Sequence, residues 1–236
     1  MAEYNFSKMC EDWAEQQSLD TPDYKIEGRA NLNNLKLSVE DISWSGFRQL
    51  VNEESQKVSV QFNPMQPSLY SGLHASKESE MITEAHLTRG VVKGLNTPLR
   101  LPVRGQSNEI QKILGGYVTI DPGTKESRSS NKMTVTLGSS HQANANQPTQ
   151  ARVSSKQTAY EIHFTAKVSC LGIVTFSQDS TDEQVFAQII ADLQERGHDL
   201  SLVVNRKNGF ADSVSFQMAG RCVFRGEFEQ EINWQY

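Results

Sequence analysis

The sequence predicts an α+β fold made mostly of antiparallel strands, a β-sandwich or curled sheet with one packed amphipathic helix and a separate N-terminal helix. Three observations predict it. Residues 162–170 alternate apolar and polar side chains without a break, and residues 185–193 carry an apolar stripe at helical spacing. Val214, Phe216, Met218, Cys222, Phe224, Phe228, Ile232 and Trp234 then hold one phase of a period-two pattern, with Arg221, Arg225, Glu227, Glu229 and Glu231 in the other.

Taken in chain order, Phe6, Met9, Cys10, Trp13 and Ala14 share one side of a helical projection, which predicts a short docking helix over 6–18, ended by a Pro-containing stretch at 20–23. Strands are expected at 24–30 and 34–40 around Asn31, Asn33 and Asn34. Another is expected at 58–62, where Val58, Val60 and Phe62 alternate with Ser59 and Gln61 before Asn63-Pro64. Residues 76–88 read as a helix with a thin apolar face of Met81, Ile82 and Ala85. Two prolines make 98–104 an edge segment or irregular connection. Ser107 as N-cap and Gly115-Gly116 as terminator predict a helix over 108–114, with strands at 117–120 and 133–137 beyond it.

Residues 138–158 contain almost no apolar side chain and no period, so a loop or arm is expected there. After the strand at 162–170, Val174 and Phe176 continue its phase. Ser180-Thr-Asp-Glu183 has the spacing of a capping box, which predicts a helix over 182–196 closed by Gly197. Leu200, Leu202 and Val204 lead into Asn208-Gly209, a dipeptide suited to both central positions of a hairpin turn. The expected organisation is an N-terminal α+β part over 1–137, a polar arm over 138–157, and a β-α-β part over 158–236 that shares one core with the first.

The chain has 236 residues, 37% hydrophobic and 22% charged, with a net charge of -5. With a mean hydropathy of -0.53, this is the composition of a soluble globular protein. No apolar run approaches the roughly 18 residues of a membrane-spanning helix, and the start is acidic where a signal peptide is basic and then apolar. A cytoplasmic or particle-associated location is expected, not secretion through a signal peptide, and no membrane partner. Cys10, Cys170 and Cys222 are too scattered for a disulfide framework or a metal ribbon.

Charge falls in blocks. Residues 1–88 carry 7 Lys and Arg against 14 Asp and Glu, residues 89–157 carry 10 against 3, and residues 158–236 carry 6 against 11. The basic middle supplies the candidate binding residues Arg89, Lys93, Arg100, Arg104, Lys125, Arg128, Lys132, Arg152 and Lys156. Flexible cations neutralise phosphates, but Tyr117 is the one aromatic residue between 89 and 157, so stacking platforms for single strands are missing.

Catalytic signatures are absent from the sequence. It has no P-loop, no G-x-G-x-x-G after a strand and no G-x-S-x-G elbow, and Ser139, Ser140 and His141 lie in the polar segment. His74 and His86 flank Glu78, Glu80 and Glu84, yet the spacing matches no established ligand pattern. His163 falls on the polar face of its strand, while Cys170 and Cys222 fall in apolar phases, where burial is expected over reactivity.

Asp41-Ile-Ser43-Trp-Ser-Gly46 resembles the D-x-S-x-x-G motif of PilZ domains, which implies cyclic-dinucleotide binding. The paired arginines of that family precede the motif, whereas Arg100 and Arg104 follow it and Arg221 and Arg225 lie in the C-terminal strand.

Alternating charge blocks, exposed strand edges and a polar arm together predict a non-enzymatic structural subunit of a multi-copy assembly, a virus or phage particle or a tube-like machine, that self-associates by charge complementarity and arm exchange. The alternative is a module that binds nucleic acid or another charged partner through residues 89–156, making weak, non-specific contacts. A PilZ-like binder ranks below both. No cofactor, metal or catalytic residue is expected.

Overall fold

Period-two alternation governs far more of the chain than the sequence reading assigned to it. A computed structural model describes residues 3–20, 29–62, 71–141, 149–176 and 183–235, with the backbone alone described over 51–62, 71–79, 133–141, 149–156 and 227–235 and at Glu109. In chain order the elements are β1 (Glu3–Asn5), α1 (Phe6–Asp20), β2 (Lys36–Phe62), β3 (Ser71–Arg89), β4 (Val91–Lys93), β5 (Leu99–Pro102), α2 (Asn108–Leu114), β6 (Tyr117–Ile120) and β7 (Glu126–His141). They continue with β8 (Thr149–Leu171), β9 (Ile173–Thr175), β10 (Glu183–Val185), α3 (Phe186–Glu195), β11 (Val203–Lys207) and β12 (Phe210–Gln235). The protein is a mostly antiparallel β structure with few helices, consistent with α+β.

The main sheet runs in the order β2-β8-β12-β3-β7, with β11 paired to β12, and it does not close. Its borders are therefore β2 and β7. Smaller pairings are parallel β1 with β4, antiparallel β9 with β10 and antiparallel β5 with β6.

The chain divides into two compact units whose boundaries fall inside the long strands. The first comprises Met1–Ser45, Ala85–Ser127 and His163–Cys222. Its core forms where the apolar stripe of α3 (Phe186, Ala187, Ile189, Ile190, Leu193) meets α1 and the strands. Phe6 and Phe186 lie 4.5 Å apart between ring centroids, and Trp13 stacks on Phe176 at 5.6 Å. The Trp13 indole N–H donates to Asp192 Oδ2 at 3.0 Å, and Gln188 holds the other carboxylate oxygen at 2.7 Å, so the indole N–H and both Asp192 oxygens are satisfied. Across the sheet, Glu40 on β2 accepts from Lys167 on β8 at 2.6 Å and from Ser215 on β12 at 3.1 Å, which lowers its pKa chiefly through Lys167.

The second unit comprises Gly46–Glu84, Arg128–Ile162 and Val223–Tyr236. Phe47 stacks on Tyr160 at 5.2 Å with the rings 10° from parallel. Beside them Arg48 reaches the carboxylate of Glu161, whose side chain is only 2% exposed.

Several elements differ from the sequence reading. Residues 76–88 are not a helix but part of β3: Met81, Thr83, Ala85 and Leu87 are buried while the residues between them are half-buried, a period of two that polar Thr83 conceals. Of the expected arm, residues 138–141 end β7 and residues 149–157 begin β8, leaving 142–148 outside the described residues. Ladder hydrogen bonds involve only backbone, so Ser, Thr and Gln extend a strand without apolar anchors. The helix expected over 182–196 begins four residues late, because Glu183–Val185 pairs with Ile173–Thr175 as β10 and the N-cap, Val185, makes no side-chain cap bond. The capping-box residues 180–182 and much of the strand expected at 24–30 lie outside the described residues.

Candidate functional site

Among the described residues, local partners divide the cations of the basic block. Glu3 on β1 binds both Lys93 (3.0 Å) and Lys125 (2.7 Å), which hold its carboxyl at about 2, Lys125 contributing most. Those two lysines thus anchor the N-terminal strand. Arg89 ends β3 and is exposed, as are Arg128 and Lys132 on the border strand β7. Arg152 and Lys156 fall on β8 where only the backbone is described.

Arg100 and Arg104 are placed differently. In the β5–β6 pair, Leu99, Leu101, Val103, Val118 and Ile120 point into the core and are at most 3% exposed. Alternation therefore turns Arg100, Pro102, Tyr117 and Thr119 outward. The Val103 amide donates to Gly116 O at 3.1 Å, which carries the phase on to exposed Arg104. The Arg100 guanidinium lies flat over Tyr117, its central carbon 3.4 Å from the ring centroid, and the ring is still 49% exposed. Stacking fixes the plane of the guanidinium without using its N–H donors. The Trp44 indole N–H, donating to Pro102 O at 3.0 Å, holds β5 from behind.

Between β5 and β6 in the chain, a short helix forms as the sequence predicts. Ser107 Oγ accepts from the Ile110 amide at 3.4 Å, and Gly115 closes the last turn. What sequence reasoning missed is the pairing of Arg100 with Tyr117, visible only once the hairpin register sets Pro102 opposite Tyr117.

The other candidate positions are structural. Cys10, Cys170 and Cys222 are fully buried free thiols, and burial pushes each up to about 12, so none is a nucleophile near neutral pH. The Asp41–Gly46 stretch lies within border strand β2, where Trp44 packs on Phe164 at 5.6 Å and Asp41 and Ser43 are exposed. His86 Nδ1 approaches Glu126 at 3.4 Å, and His74 and Glu78 lie in β3 outside the described side chains. As strand residues four apart, His74 and Glu78 are not one helical turn from each other. Among the described residues no three His, Cys, Asp or Glu side chains converge as metal ligands.

No protein-family model and no curated protein matches the sequence. Among solved structures, a non-toxic crystal protein from Bacillus thuringiensis is similar over 99% of this chain and 97% of its own, with 13% identity and a TM-score of 0.45. A chain of the Cry23Aa1–Cry37Aa1 binary protein complex is similar over 99% of this chain and 89% of its own (12% identity, TM-score 0.39). The Mpp75Aa1.1 β-pore-forming protein from Brevibacillus laterosporus is similar over 87% of this chain and 79% of its own (10% identity, TM-score 0.37). These comparisons correct the expected function: the similar structures include a crystal protein and a β-pore-forming protein, and the reading as a virus, phage or tube-machine subunit is withdrawn. The sequence reading erred by giving charge blocks and a polar segment a specific assembly, although both patterns occur in any strand-rich protein with wet faces.

Proposed function

We propose that this chain is a toxin-like, non-enzymatic protein whose copies assemble on a membrane and span it as a shared β-barrel. The observation that carries the proposal is the length of the sheet strands in a sheet with free borders. β2, β3, β7, β8 and β12 run for 27, 19, 16, 23 and 26 residues, whereas a bilayer is spanned by about 9–11 strand residues. A strand in lipid must have every backbone polar group paired, which requires closure. One open sheet does not supply that closure, and a ring of copies does.

The sequence of these strands has the required two-sidedness. Met133, Val135 and Leu137 alternate with Thr134 and Thr136, and Val58, Val60 and Phe62 alternate with Ser59 and Gln61, which would put one face to lipid and one to water. Among the described residues no helix is long and apolar enough to cross a membrane, a fact that bears on helical spans alone. Self-association, expected at first from the strand edges, takes its place here as ring formation, in a sheet that curls with α3 packed on one face. Pore formation is the activity named for one of the similar structures, but this chain's own strands carry the argument.

Vesicles of phosphatidylcholine, alone and with phosphatidylserine, loaded with a self-quenching dye and mixed with intact or trypsin-nicked protein, test the proposal. Dye release accompanied by membrane-bound oligomers is expected. No release in any arm, with the protein remaining a solution monomer, contradicts it.

A further inference from the structure

We propose that the outward face of the β5–β6 hairpin is a binding site for the phosphate of anionic lipid headgroups, with Arg100 as its fixed donor and Arg104 as its second. This rests on the membrane reading above and names the surface that makes first contact.

Four described cations of the basic block fall into two contrasting pairs. Lys93 and Lys125 are bound to Glu3, whereas Arg100 and Arg104 have no described carboxylate within ion-pair distance. Arg100 is held all the same, by stacking 3.4 Å above Tyr117, a contact that leaves its in-plane N–H donors unused by the ring. Guanidinium donors match phosphate oxygens in pairs, and a fork whose plane is preset loses little side-chain entropy on binding. Arg104 follows four residues on, two past the end of β5, and is exposed; extended backbone would set the two roughly 13 Å apart, so they reach neighbouring headgroups and not one small ion. Lys112, in the last turn of α2, adds an exposed charge of the same sign. A bilayer fits better than a nucleic acid, because this face carries a single aromatic ring, already in contact with Arg100, where single-strand binding draws on several stacking platforms.

The test uses the full chain and co-sedimentation with vesicles of phosphatidylcholine alone or equimolar with phosphatidylserine. Stronger binding to the anionic vesicles is expected, and the double substitution Arg100→Gln/Arg104→Gln should weaken it on the order of thirty-fold, since each cation near an anionic surface contributes about fivefold. Tyr117→Leu, which frees the guanidinium but keeps its charge, should weaken binding by a smaller factor, and Lys207→Gln, on the β11–β12 turn, should leave it unchanged. Matching melting curves confirm that the variants fold. Inorganic phosphate is the competitor for a free-anion site and a single-stranded oligonucleotide the probe for nucleic acid. Equal binding to neutral vesicles, full binding by the double variant, complete displacement by millimolar phosphate, or capture of the oligonucleotide in place of vesicles each overturns the site. Dye release that persists in the double variant would overturn this site and leave pore formation standing, whereas Arg100-dependent binding without any release would do the reverse.

Discussion

Arg48 places two guanidinium nitrogens, Nε at 3.0 Å and Nη2 at 2.7 Å, on one carboxylate oxygen of Glu161, joining border strand β2 to its neighbour β8. Glu161 is 2% exposed and Arg48 64%, so the pair is a buried acid capped by a largely solvated base. Removing Arg48 takes an opposite charge away from a buried carboxylate, and removing both charges does not. Arg48→Ala is therefore expected to lower unfolding free energy by about 2 kcal/mol, discounted from the cost of a fully buried pair for the exposure of the arginine. Arg48→Ala combined with Glu161→Gln should recover part of that loss in a urea titration.

The Glu3 carboxyl, held at about 2 by Lys125 and Lys93, ties β1 to the first unit. Because its folded pKa is depressed, the stabilisation is complete above the ordinary carboxyl value of 4.5 and disappears as pH falls from there toward 2. Glu3→Gln should melt below the wild type at pH 6, and the two melting temperatures should converge as pH approaches 2. A constant difference across that range would show that the ion pair is not its source.

Gly172 sits between β8 and β9 at φ 138, where an added Cβ would run into the backbone of Asn34 and lie 3.1 Å from Leu35 Cα. Its carbonyl also accepts the first amide of α3, from Phe186 at 3.0 Å. Gly172→Ala is expected to destabilise by about 3 kcal/mol, a strained backbone and a collision together. Gly197, at φ 92 after α3, faces open space, so Gly197→Ala should cost only about 1 kcal/mol. Chemical denaturation of the two variants side by side separates the collision from the strain.

The legible parts of the fold are those in which burial and period coincide. Ile162, Phe164, Ala166, Val168 and Cys170 are all buried, as their alternation requires, and Asn208 and Gly209 take φ values of 52 and 84 in the turn they predict. The helical stripe of α1 and its buried Phe6, Cys10, Trp13 and Ala14 were equally readable. Legibility fails where a strand buries polar residues or none. Thr83 at 5% exposure breaks the apolar count in β3, and Thr158 and Glu161, at 1% and 2%, are buried where hydropathy places solvent. The polar ends of β7 and β8 carry no apolar alternation in the sequence, and ladder pairing needs only backbone groups. At the candidate site, residue types were visible but neighbours were not: the lysines' shared partner Glu3 lies about ninety residues from Lys93, and Arg100 meets Tyr117 only through the β5–β6 register.

The central claim is that strand segments of this sheet become membrane-spanning with one side to lipid. Single substitutions Met133→Cys, Thr134→Cys, Val135→Cys, Thr136→Cys and Leu137→Cys, each labelled with an environment-sensitive dye, report it residue by residue, because the native thiols are buried. On adding vesicles, the dye at 133, 135 and 137 is expected to brighten and shift to the blue while that at 134 and 136 stays aqueous. Five labels that all remain as they were in solution, or that all shift alike, would contradict the account.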